Sequence, residues 1–203
     1  MLNRTKYFRK LCLSGSFLVG LISLSSTANA QFIGINVDYA IDYSAAPGKV
    51  SGYSVGIAHP APFIPNIGYS SVSFIDKETI TDSSDNTVSL DTTTTIETIN
   101  LFYNVPFPVV TITVGFGLGG VETKTTIKEN TDAQDRSDLK TSVSEAFFHI
   151  GLPFWNTVEF HLGYHLMSFS SIDITKSVIL GGNYTTDKNY SGGMTTIGVQ
   201  VAF

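Results

Sequence analysis

In a chain of 203 residues, 17 acids outweigh 12 bases, for a formal net charge of −5. That balance argues against a nucleic-acid-binding role, because phosphate backbones are held by clustered Lys and Arg. Cys12 is the one cysteine, which leaves no disulfide framework and no cysteine-ligated metal.

The first ten residues hold Arg4, Lys6, Arg9 and Lys10 and no acid. Residues 11–24 are apolar, and Ala28-Asn29-Ala30 is a small-x-small cleavage site before Gln31. These are the three regions of a secretory signal peptide. The apolar run, about 14 residues, falls short of the roughly 20 that a spanning helix needs. Residues 1–30 are therefore expected to be removed, and Cys12 with them. The remaining domain, residues 31–203, keeps eight bases and all 17 acids, a net charge of −9. No later stretch is long and apolar enough for a membrane helix, so the domain can enter a bilayer only as a closed barrel.

From Ile33 the sequence alternates. Ile33, Ile35, Val37, Tyr39, Ile41 and Tyr43 alternate with Gly34, Asn36, Asp38, Ala40 and Asp42. Eleven residues of strict period two suffice to cross the hydrocarbon as a tilted strand. A half-buried soluble strand averages only about 5–6. The pattern returns over residues 53–58, 110–119 and 158–167, with Gly, Ser, Thr, Glu and His between the apolar positions. Three segments are less regular. The apolar face changes near Ser70-Ser71 within residues 67–75, which predicts a bulge. Residues 93–103 alternate cleanly only from Ile99. Residues 139–150 contain adjacent Phe147 and Phe148, which leaves their outward face ambiguous.

The connections fall into two kinds. Residues 59–66, 104–109 and 151–157 each carry a Pro-Phe pair, with Phe63, Phe107 and Phe154 spaced 44 and 47 residues apart. Proline cannot donate to a sheet ladder, so it marks turns here. None of the three contains Asp, Glu, Lys or Arg. Residues 76–95, 121–140 and 172–188 are long, Thr-rich and charged, and they or the short segment 44–50 hold or adjoin all eight remaining bases. Within 172–188, residues 178–180 are too polar in context to span, so this stretch reads as a ribbon at a loop edge.

The chain closes on a last strand. Ile197, Val199, Val201 and Phe203 share one face, and Thr196, Gly198, Gln200 and Ala202 the other. Counting all segments gives eight strands. The export signal, the even strand count, the turn and loop asymmetry and the terminal Phe203 together resemble the small bacterial outer-membrane β-barrel proteins of the OmpA, OmpX and opacity type. The resemblance covers residues 31–203 as a pattern and includes no subfamily motif.

It implies an all-β fold, an eight-stranded antiparallel up-and-down transmembrane β-barrel, placed in the bacterial outer membrane with N- and C-termini periplasmic. It implies that Phe63, Phe107, Phe154, Trp155 and Phe203 form an aromatic girdle at the periplasmic surface. Ile197, Val199, Val201 and Phe203 would be the signal read by the barrel-assembly machinery. Outer-membrane lipid and lipopolysaccharide would surround the barrel, and loops 76–95, 121–140 and 172–188 would face outside as the surface for an extracellular partner.

Eight strands enclose an interior just wide enough for side chains or one small ligand. The inward positions are rich in Gly, Ser, Thr and Ala, which fill little volume and predict a hydrated lumen. They also carry Asp38, Asp42, Glu159, His161 and His165, joined by Glu97, Glu145 and His149 if those strands face inward, and no Lys or Arg. Buried carboxylates without cationic partners take up protons, hydrate or bind cations. A solvated structural network and a narrow, weakly cation-preferring pore both fit. His161 and His165 lie four residues apart on one strand, roughly 13 Å at about 3.3 Å per residue, too far to share a proton or a metal directly. Ser168 falls on the opposite face, and the His-x-Ser-Asn arrangement of the lipid A deacylase barrels is missing. No catalytic, cofactor-binding or metal residues are expected. A non-enzymatic surface or structural barrel is the leading expectation, a narrow pore the second and a lipid A-modifying enzyme the third.

Overall fold

A computed structural model describes residues 33–61, 63–81, 87–129, 132–155, 157–169, 172–177 and 183–203. The expected signal peptide, residues 1–30, lies outside the described residues. Every regular element among them is a strand: β1 (Gly34–Tyr43), β2 (Val50–Ala58), β3 (Asn66–Thr81), β4 (Thr87–Pro106), β5 (Thr111–Glu129), β6 (Asp132–Trp155), β7 (Val158–Phe169), β8 (Ile172–Ser177), β9 (Asn183–Lys188) and β10 (Gly192–Ala202). Eight of them close a barrel in the order β1-β10-β7-β6-β5-β4-β3-β2, each antiparallel to its neighbours, while β8 and β9 pair as a separate ribbon. The seam joins β1 to β10, from Gly34 opposite Ala202 to Tyr43 opposite Met194. The Phe203 amide extends it by donating to the Ile33 carbonyl at 2.8 Å. Within the closed ring each strand is paired on both sides, the condition a strand protein must meet in lipid, whereas the extensions of β3 beyond Phe74 and of β6 before Val143 pair on one side only.

The outer face is apolar over one band. On β4, Ile99, Leu101, Tyr103 and Val105 are exposed, and beyond Ile99 the same face turns polar with Glu97, Thr95 and Thr93. The Tyr69 hydroxyl donates to Glu97 at 2.8 Å at that boundary. Equivalent exposed runs occupy β1, β5, β6 and β7, ending at Ile41, Leu118, Phe148 and Leu166. The band follows from period-two alternation of large apolar residues, so its height is set where the alternation stops. At the other margin the Pro-Phe pairs sit on the strand ends as well as in the turns, since Pro106 closes β4 and Trp155 closes β6. The turn after β4 is held by the Phe107 amide donating to the Val110 carbonyl at 2.7 Å.

Four expectations change. The register of β3 is continuous against both β2 and β4, so there is no bulge at Ser70-Ser71. Val72 and Phe74 point inward because the lumen itself becomes apolar there. The irregularity lies in β1 instead, where the pairing shifts between Ala40 and Asp42. That extra residue exchanges the faces of two side chains. Tyr43 turns into the lumen at 2% exposure, and Asp42, expected inside, is exposed. Glu97 also lies outside. Finally, 76–95 and 121–140 are mostly strand. β3 runs to Thr81 and β4 starts at Thr87, while β5 and β6 continue to Glu129 and from Asp132. At 20, 19 and 24 residues, β4, β5 and β6 are about twice the 9–11 that cross a bilayer, so tall hairpins stand where loops were expected.

Candidate functional site: a polar network in the lumen

The alternation that sends Ile, Leu and Phe outward sends the intervening residues of every strand into one narrow space. β1 contributes Asp38, β6 contributes Glu145 and His149, and β7 contributes His161 and His165, all buried. The register explains their meeting. Asp38 and His161 both lie opposite Gly198 of β10, and His149 lies opposite Gly163. A Cβ at Gly198 would run into Asp38 Oδ1 and the His161 ring, and one at Gly163 into the Thr196 hydroxyl and the His149 ring. These glycines give the large polar side chains room to lie across the neighbouring strand.

A chain of contacts results. His165 Nδ1 stands 2.5 Å from Glu145 Oε1, and the Thr98 hydroxyl donates to Glu145 Oε2. His165 Nε2 faces His149 Nε2 at 3.1 Å and the Thr196 hydroxyl at 3.2 Å. His149 Nδ1 looks toward Asp38 Oδ1 at 4.0 Å, and His161 Nε2 toward the same oxygen at 3.0 Å. The Ser54 hydroxyl donates to Asp38 Oδ2 at 3.5 Å. On its other side, His161 Nδ1 faces Glu159 Oε1 at 3.9 Å, and Glu159 Oε2 accepts from the Thr111 hydroxyl at 2.6 Å. The Phe147 ring stacks on His165 with centroids 5.0 Å apart and planes at 17°. Among the side chains whose burial is described, no Lys or Arg is buried.

Of the residues picked from sequence, Asp38, His161 and His165 lie in this network and Glu159 at its half-buried margin. Asp42 does not reach it. His161 and His165 are not in contact with each other, and His149 bridges them with ring centroids 5.4 and 5.0 Å away. His149 and Glu145 were left open by the Phe147-Phe148 ambiguity, which the structure resolves with Phe147 inside at 8% exposure and Phe148 outside at 47%. The common parity of Glu145, Phe147, His149 and Gly151 was the available signal. Ser168 points outward, away from both histidines.

The other half of the lumen is filled by large apolar side chains beside buried Thr92, Thr94, Thr123 and Thr125, which corrects the expectation of a space lined by small residues alone. Tyr43, Val72, Phe74, Ile96, Met194 and Tyr190 lead one buried cluster near the tall hairpins. Phe74 packs on Tyr43 and Tyr190 with centroids 5.7 and 5.0 Å away, and the Tyr43 hydroxyl donates to the Tyr190 carbonyl. Burial first, then the Asp76 carboxylate to which it donates at 3.2 Å, raises the Tyr190 phenol above the ordinary range, so it remains a donor. Phe63, Phe107, Phe154, Trp155 and Phe203 are all exposed near the Pro-Phe end. Ile197 is exposed, while Val199 and Val201 are half-buried.

No protein-family model matches the sequence, and no curated protein matches it. Among solved structures, a major outer membrane protein of Thermus thermophilus is similar with a TM-score of 0.56 at 9% identity, covering 84% of this chain and 99% of that one. Neisserial surface protein A gives a TM-score of 0.48 at 14% identity over 84% of this chain and 96% of its own. The N-terminal β-barrel domain of Pseudomonas aeruginosa OprF gives 0.43 at 12% identity over the same two shares, 84% and 96%. The fold is that of a small outer-membrane β-barrel.

Proposed function

We propose that the chain is a non-enzymatic integral protein of the bacterial outer membrane, acting as a surface or structural barrel with its termini in the periplasm. The observation that carries this reading is a continuous exposed apolar band around a closed barrel whose lumen is filled. Large exposed residues such as Ile35, Val37 and Tyr39 along β1, with Phe116 and Leu162 elsewhere, have no partner in water and suit hydrocarbon. Lipid and lipopolysaccharide would surround that band, and the barrel-assembly machinery would read the last strand, with Ile197, Val199, Val201 and Phe203 as its signal. The hairpins at 76–95 and 121–140 and the β8-β9 ribbon within 172–188 rise above the band and are the surface for an extracellular partner. The apolar cluster around Phe74 weighs against a pore, and the outward Ser168 weighs against a hydrolase built on His161 or His165.

Two measurements test this. Unboiled protein from membrane fractions should migrate differently from boiled protein, and identical migration would sink the barrel. In intact cells, Lys77→Cys should react with a membrane-impermeant maleimide and Val109→Cys should not; the reverse pattern would overturn the orientation. Planar-bilayer recording separates the runner-up: sustained conductance steps from the pure protein would replace the sealed barrel with the narrow pore.

A further inference from the structure

We propose that Asp38, His149 and His161 form a mononuclear site for a borderline divalent cation of the zinc class inside the lumen. The three side chains come from β1, β6 and β7, and one donor atom from each lies within 4.8 Å of the other two. His165 Nδ1 lies 2.5 Å from Glu145 Oε1, and His165 Nε2 lies 3.1 Å from His149 Nε2. His149 thus engages His165 through Nε2 and keeps Nδ1 free, 4.0 Å from Asp38 Oδ1 and beyond hydrogen-bond reach. An imidazole nitrogen and a carboxylate oxygen so placed can coordinate one cation between them.

A second observation points to the same centre. Asp38 Oδ1 and His161 Nε2 are buried and 3.0 Å apart, yet neither has a hydrogen-bond partner. They are close, but off the line of a hydrogen bond. Off-line placement is what shared coordination requires, because a metal bonded to both at about 2.0–2.2 Å sits to one side of the N to O vector. In a tetrahedral site of that bond length, ligand atoms stand about 3.4 Å apart. The observed 3.0 and 4.0 Å bracket that spacing.

The surroundings complete the arrangement. His149 has an ordered outer partner, through His165 to Glu145, and Glu159 Oε1 lies 3.9 Å behind His161 Nδ1, outside hydrogen-bond distance. A carboxylate hydrogen-bonded behind an imidazole ligand fixes ring orientation and raises basicity. Two imidazoles and one carboxylate favour zinc-class ions over calcium or magnesium, which take six or more oxygens or keep their water. A divalent charge also offsets the buried Asp38 and Glu145, whose cationic neighbours among the described side chains are histidines. Toward the Pro-Phe end the site is bordered by half-buried Glu159, Asn104 and Gln200, and toward the other end by the apolar cluster. Bound metal would tie β1 to β6 and β7 across β10, over the seam that closes the barrel.

The test uses the full-length barrel extracted from outer membranes in detergent, stripped with a chelator and titrated with Co²⁺, then with Zn²⁺ in competition. Wild type should bind one equivalent, with visible absorption of low-coordinate cobalt, and its unfolding temperature should rise with Zn²⁺. Asp38→Asn and His161→Gln should each weaken binding by more than about 100-fold. His165→Gln, which only orients His149, should weaken it by about 10–100-fold. Asp42→Asn, on the outer face, should bind like wild type. Variants count only if their gel mobility remains heat-modifiable, and the wild-type titration stands by itself. Failure of the heat-modifiable wild type to bind Co²⁺ or Zn²⁺ at one equivalent would overturn the proposal and assign the space to a shared proton. So would unchanged binding in Asp38→Asn and His161→Gln, or a preference for Ca²⁺ or Mg²⁺.

Discussion

The two halves of the lumen are filled by different physics. Near the tall hairpins, Tyr43, Phe74, Ile96 and Met194 pack by shape, and each is stabilised mainly by leaving water. Toward the Pro-Phe turns, Asp38, Glu145, His149, His161 and His165 fill the same kind of space with groups that resist burial alone. Glu145, His149 and His165 are tolerable there because each satisfies the next, while Asp38 Oδ1 and His161 Nε2 are left without a hydrogen-bond partner. The apolar half should therefore lose stability piece by piece, and the polar half should fail as a unit. That difference also divides the roles. One half seals the barrel, and the other offers chemistry.

The strongest way to break this contrast is Glu145→Ala. It strands the buried His165 Nδ1 and the Thr98 hydroxyl together, a loss of about 3–5 kcal/mol. Ile96→Val in the apolar half should cost only about 0.5–1.5 kcal/mol. Equilibrium urea unfolding of the barrel in lipid vesicles measures both. Adding His165→Ala to Glu145→Ala should cost much less than the sum of the single changes. Strict additivity would mean that the polar half is no network.

How much of this was legible in the sequence follows from the same contrast. The outer face was readable on β1, β2, β5 and β7 because lipid demands large apolar side chains at every second position. The lumen makes no such uniform demand. The switch of Asp42 and Tyr43 depends on a single bulge whose cause lies in the pairing with β10. The inward turn of Phe74 depends on what fills the space across the barrel. The most misleading residues were the glycines. Counted as composition, Gly163 and Gly198 suggest an empty, hydrated lumen. Placed in register, they stand opposite His149 and between Asp38 and His161, and mark where a neighbour's bulk lies. Register across strands is a long-range property that alternation within one strand does not encode, which is why the meeting of Glu145 and His149 with Asp38 and His161 is not legible in any one strand.

Gly163→Ala sharpens that point at a smaller scale. Its new methyl group would meet the Thr196 hydroxyl and the His149 ring, both fixed by bonds to His165. Overpacking of this kind costs about 1–3 kcal/mol. Urea unfolding again provides the value. A change below a few tenths would show that the polar half has slack, and would return the glycines to the role of filling little volume.

The smallest effect belongs to the apolar half. Tyr43→Phe removes a hydroxyl that donates to the Tyr190 carbonyl but keeps the ring 5.7 Å from Phe74. One neutral hydrogen bond contributes about 0.5–1.5 kcal/mol, and shape does the rest of the packing. The variant should therefore unfold at slightly lower urea with an unchanged slope, and planar-bilayer recordings should stay at baseline. A loss as large as that of Glu145→Ala would mean that the Tyr43–Tyr190 bond, not apolar packing, closes this end. The contrast between a half sealed by shape and a half held by bonds would then collapse into a single bonded core.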